Sequence, residues 1–157
     1  MADPIPASAL SVQPSEHERF VQVSTDLLRR GTAVSFTATG LSMRPFINDG
    51  EIITVAPVEI RNIHVGDILL YRDNKTVIAH IVISIIKNRT PGPLFILRGD
   101  LGTSADEEVT AEQILGKVVG IMRGEKTIRC NHFGARLARH LFIQVFTFKK
   151  RLTGYFL

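Results

Sequence analysis

The chain has 157 residues, 45% of them hydrophobic and 22% charged, with a single Cys. That length fits one domain of ~100–200 residues, and that composition supplies a core and excludes intrinsic disorder. Lone Cys130 excludes an intramolecular disulfide framework, and the longest apolar runs, Ile81–Ile86 and Leu141–Phe148, fall far short of the ~18 residues a spanning helix needs.

Met1–Pro14 lacks the cationic and apolar regions of a secretion signal and is expected to form a flexible arm. Ser15-Glu16-His17-Glu18 then carries the signature of a capping box. The spacing of Phe20, Val23, Leu27 and Leu28 predicts one helical face, and Arg29-Arg30-Gly31 supplies the stop, so residues 15–31 are assigned to an N-terminal helix. From Thr32 to Met122 the pattern becomes that of strands: Val34–Ala38, Glu51–Val55, Asp67–Tyr71, Val77–Ile86, Leu94–Leu97 and Ile114–Met122. Asp73-Asn74-Lys75 reads as a hairpin turn, and Glu107–Gln113 as room for a helical turn. Short strands without long helices between them predict a mainly β domain over residues 32–122, an antiparallel barrel or coiled sheet.

Residues 123–157 form the last predicted unit. Residues 1–125 carry 12 Lys and Arg against 15 Asp and Glu, whereas residues 126–157 carry 7 Lys and Arg and no acid. Phe133, Leu137, Leu141 and Val145 recur every four residues among these cations, which predicts a basic amphipathic helix over about 131–148.

Chemistry concentrates in Gly40-Leu41-Ser42-Met43-Arg44-Pro45, followed by Phe46-Ile47-Asn48-Asp49-Gly50-Glu51. Gly and Pro at those positions make a rigid turn that displays the Ser42 hydroxyl. Taken alone, such a turn is ordinary structure. His80 lies inside an apolar strand, and Arg98-Gly99-Asp100 with Asp106 beyond marks a polar loop.

In this order the Gly-x-Ser-Met-x-Pro turn, the acidic-Gly-acidic turn, Val65-Gly66-Asp67-Ile68, His80 and the Gly99-Asp100 pair resemble the superfamily of signal peptidases and LexA-like self-cleaving serine proteases. The resemblance covers about residues 31–120. It implies coiled antiparallel sheets or a partial barrel, here with an N-terminal helix and a C-terminal basic helix, and a serine endopeptidase needing no cofactor or metal. Ser42 would be the nucleophile. The base on the strand is Lys or His in different branches, and His80 occupies that place, although His-Arg-Val of the usual pattern reads His80-Ile81-Val82. Asp106 matches the third member by motif position, with Asp100 as the second candidate. The resemblance places the backbone amides of Ser42 and Gly40 at the oxyanion, and Met43 and Pro45 beside the substrate, a peptide or protein chain.

An imidazole is suited to take the Ser42 proton near neutral pH, and a carboxylate on its other nitrogen would orient it. The alternative functions are a self-cleaving regulator and an inert peptide-binding module. About thirty residues before the β domain are too few for a helix-turn-helix unit, so a DNA-binding repressor and specific nucleic-acid recognition are not expected. The basic helix suits peripheral contact with an anionic membrane, with Phe142, Phe146 and Phe148 as apolar wedges, or packing onto the core. Cytoplasmic or peripheral placement follows as the expectation.

Overall fold

A computed structural model describes residues 14–99 and 106–154, the last nine of them, 146–154, as backbone. The arm before Pro14 therefore lies outside the described residues. The first helix, α1, runs Glu16–Arg29 and starts as the capping box predicts: the Glu18 amide donates to Ser15 Oγ at 3.1 Å and the Ser15 amide to Glu18 Oε2 at 2.9 Å. It ends where Gly31 N–H reaches the Leu28 carbonyl and Thr32 N–H the Leu27 carbonyl, satisfying two otherwise orphaned acceptors. Its buried face is Val21, Ser24, Thr25 and Leu28, whereas Phe20, Val23 and Leu27 of the expected apolar face stay exposed. Thr25 can be buried because its hydroxyl donates to the Val21 carbonyl at 2.7 Å. Phe20 instead reaches sideways to Phe36, ring to edge at 5.4 Å.

Among the described residues eight strands follow: β1 (Val34–Thr37), β2 (Ile52–Ala56), β3 (Ile68–Asp73), β4 (Thr76–Ile86), β5 (Leu94–Arg98), β6 (Glu107–Thr110), β7 (Ile114–Arg123) and β8 (Lys126–Arg129). They form one antiparallel sheet in the order β1-β2-β7-β3-β4-β5-β6, with β8 paired to β7. The expected mainly β antiparallel architecture is thus present, as one sheet that does not close into a barrel. Residues 107–113, expected to hold a helical turn, divide into strand β6 and a 3₁₀ turn at Ala111–Gln113. Both faces of the sheet are covered. Along β3, Ile68 and Leu70 enter a cluster with Leu28, Ile53, Val55 and Ile81, while Leu69 and Tyr71 enter a second with Val82, Phe95 and Leu97. This is why residues 68–71 read as an unbroken apolar run. The β3–β4 hairpin turns at Asn74, whose φ of 51° suits an Asn.

The second helix, α2, spans Phe133–Gly154. It docks on the turn that carries Gly66 and Asp67. A Cβ at Gly66 would come within 2.6 Å of the Arg136 carbonyl, and its φ of 91° also favours glycine, so the residue allows helix and turn to touch. Arg139, only 6% exposed, donates from Nε to the Gly66 carbonyl at 2.6 Å and from Nη2 to the Cys130 carbonyl at 2.8 Å. Ile143 is buried beside it in the first cluster. Arg139→Met keeps the apolar stem but strands two buried carbonyls, so it should lower stability by about 2 kcal/mol, read as a reduced urea midpoint. An unchanged midpoint would remove Arg139 as the anchor of α2.

Candidate active site

The serine turn is built from beneath. Met43 and Ile47 are buried in the first cluster and hold the segment down, while the Phe46 and Ile47 amides bond back to the Met43 carbonyl at 2.9 and 3.0 Å. Asp49 Oδ1 accepts from the Gly40 amide at 2.8 Å and ties the two ends of the turn together. Glu51 accepts from the Asn48 amide at 2.9 Å and from Arg123, whose Nη2 also reaches the Phe46 carbonyl at 3.2 Å. Arg123 and Asn48 hold the Glu51 carboxyl down to about 2, so this brace remains ionised through any mildly acidic range. Ser42 is left exposed on top.

β4 supplies His80, opposite Leu69 of β3. Ser42 and His80 both line a cavity of about 510 Å³ whose walls include Phe36, Met43, Leu70 and Val77, with His17 and Phe20 of α1 at its border. His80 is 6% exposed, and burial lowers its pKa below the ordinary 6.5, so the ring is neutral at neutral pH. Its Nδ1 lies 3.1 Å from the Tyr71 hydroxyl, which donates to Glu107 Oε2 at the start of β6; that carboxylate oxygen is itself 3.4 Å from Nδ1. A hydroxyl has one proton. With that proton given to Glu107, Tyr71 accepts from His80 Nδ1–H, and the lone pair is left on Nε2. Burial raises the Glu107 pKa. Gly99, just beyond β5, packs against the ring: a Cβ there would fall 2.6 Å from Cδ2 and 2.8 Å from Cε1 of His80, and closer still to Nε2.

Of the residues expected at the site, Ser42, His80, Met43 and Gly40 line the cavity. Pro45 is exposed and is not part of its lining. The Gly40 amide is committed to Asp49, so only the Ser42 amide, which has no acceptor among the described residues, is available for an oxyanion. Asp106 is not beside His80. It forms a bidentate pair with Arg98, Nε to Oδ1 at 2.6 Å and Nη2 to Oδ2 at 3.0 Å, which clamps the start of β6 against the end of β5. The carboxylate that this clamp delivers to the imidazole is Glu107, one residue later. Asp100 lies outside the described residues. Motif spacing missed Glu107 because the strand register carries it to His80, and it missed Tyr71 because a Tyr in an apolar strand reads as core. Gly99 stood in the quoted motif, but only packing reveals the ring above it. Among the described residues no three His, Cys, Asp or Glu side chains gather as metal ligands.

This is a mainly β protein whose cleft collects a serine hydroxyl and a neutral imidazole backed by a hydroxyl and a carboxylate. The chain belongs to the Peptidase S24-like family, whose model matches residues 3–119, more than half its length. Membership associates the chain with a peptidase-type or related function. No curated protein matches the chain.

Proposed function

We propose that the protein is a serine endopeptidase whose nucleophile is Ser42 and whose general base is His80. The observation that carries this reading is their convergence on one cavity. His80 Nε2 takes the hydroxyl proton as Oγ attacks the peptide carbonyl, and the tetrahedral oxyanion accepts from the Ser42 amide. The imidazolium then protonates the leaving amine as the C–N bond breaks. Water attacks the acyl-enzyme with His80 again as base, releasing the acid and regenerating Ser42. Tyr71 and Glu107 are positioning residues that hold the Nδ1–H tautomer.

The cavity walls suggest how a peptide lies. Among the described residues, edge strand β1 pairs with β2 alone, and Thr76–His80 of β4 with β3 alone, because pairing to β5 begins at Ile81. Both unpaired stretches border the cavity. An extended chain adding to them as a strand would bring its carbonyl past Ser42, with apolar side chains directed at Met43 and Leu70.

Labelling by a fluorophosphonate, followed by intact mass measurement, tests the reading. One adduct on Ser42 is expected, slowed strongly in His80→Ala. Failure of the parent protein to react, or labelling at another serine, would refute the assignment. The acid limb of kcat/KM should lie below pH 6.5, because burial lowers the His80 pKa and the base is lost only when pH falls through that lowered value. Tyr71→Phe should reduce kcat/KM roughly tenfold, the equivalent of one hydrogen bond to the imidazolium at about 1.5 kcal/mol. An acid limb above 6.5 with an unaffected Tyr71→Phe variant would remove the relay.

A further inference from the structure

The helix α2 turns the wrong face outward for a helix whose apolar stripe completes a core. Phe133, Leu137, Leu141 and Val145, the stripe with spacing four, are 70%, 43%, 54% and 67% exposed, while buried Arg139 and Ile143 hold the opposite face on the domain. Phe142, expected as a wedge, packs ring to edge on Phe46 at 5.3 Å. Docking therefore fixes the stripe toward solvent. A hollow of about 200 Å³ opens at the N-terminal end of this stripe, where Phe133 and Leu137 meet Arg136, His64 and His140. Arg136 gives one N–H to His64 Nδ1 at 2.9 Å and retains further donors. Residues 126–157 contain seven cations and no acid.

We infer that α2 lies in the headgroup plane of an anionic bilayer, with the exposed stripe sunk among the acyl chains and a lipid phosphate taken by the hollow at Arg136. Charge selects this occupant over a second copy of the chain. Two α2 stripes packed together would bring two acid-free basic segments into contact, whereas an anionic surface neutralises them. No helix among the described residues is long and apolar enough to cross a membrane, so the contact is in-plane.

Sedimentation of the full chain with vesicles tests the inference. Pelleting with phosphatidylcholine vesicles containing phosphatidylglycerol is expected, with at least tenfold weaker binding to phosphatidylcholine alone and marked weakening in high salt. Leu137→Gln with Leu141→Gln, at exposed positions where folding tolerates polar residues, should weaken anionic-vesicle binding at least tenfold with an unchanged circular dichroism spectrum. Arg136→Gln should also weaken it. No vesicle binding by the parent chain, equal binding to both vesicle types, or equal binding by the double variant each overturns the inference. A stable dimer dissociated by the double substitution would overturn it as well, assigning the stripe to self-association. None of these readouts depends on peptide cleavage.

Discussion

Ser42→Ala should lower kcat/KM on an unstructured peptide pool by roughly ten-thousand-fold or more, the scale on which removal of a serine nucleophile acts. His80→Ala should produce a loss of similar size, and the double variant should be scarcely worse than either single one, because nucleophile and base act as a unit in the same step. Neither change should unfold the protein. Ser42 is exposed and, among the described residues, carries no bond that the turn depends on; Met43, Ile47 and Asp49 hold that segment. Peptide affinity, measured under non-turnover conditions, should survive Ser42→Ala, since the unpaired stretches of β1 and β4 do not include it. Cleavage by Ser42→Ala at the parent rate would end the serine mechanism. Fragments appearing within the parent chain itself on prolonged incubation, with no cleavage of added peptide, would instead indicate a self-cleaving protein.

The second large effect is expected at a residue with no side chain. Gly99→Ala places a methyl group where the His80 ring now sits, and the atoms it meets belong to a buried ring held by Tyr71. The ring has to shift. Overpacking of this kind costs about 1–3 kcal/mol of stability, and displacing a catalytic base by about 1 Å costs roughly a hundredfold in rate. Both losses should appear together, as a lower urea midpoint and a lower kcat/KM, with a change in the His80 imidazole NMR signals. Gly92→Ala is the matched control: nothing lies within 4 Å of a Cβ there, so neither quantity should move. A Gly99→Ala protein with parental stability and rate would show that His80 does not depend on this close approach.

Several elements were legible locally. The α1 capping box, the stop at Gly31 and the Asn74 turn are made by residues three or four apart, so their residue types are sufficient evidence. The serine turn is of the same kind, and its ordered neighbours carried the family resemblance that residues 3–119 bear out. Strand β6, Glu107-Glu108-Val109-Thr110, was not legible: it has little alternation of its own and is a strand because β5 offers it an edge, Leu97 opposite Glu107. β8 depends on β7 in the same way, with Ile121 opposite Ile128.

The carboxylate at His80 shows the same limit at the scale of one residue. Asp106 and Glu107 are adjacent and both acidic, and nothing in their spacing separates a clamp on Arg98 from a partner of Tyr71. Period left the orientation of α2 open: spacing four marks Phe133, Leu137, Leu141 and Val145 as a face without stating which way it points, and docking through the buried guanidinium of Arg139 turns that face outward. By itself, then, the sequence determined a mainly β domain, its helix start and its hydroxyl-bearing turn, because those follow from short-range hydrogen bonding and side-chain period. Tertiary packing is what sets Ser42 and His80 on one cavity, puts Glu107 near the imidazole while Asp106 pairs with Arg98, and turns the apolar stripe of α2 to solvent. Each of those depends on strand register and docking between segments far apart in the chain, where one residue of offset moves a side chain to the other face of the sheet.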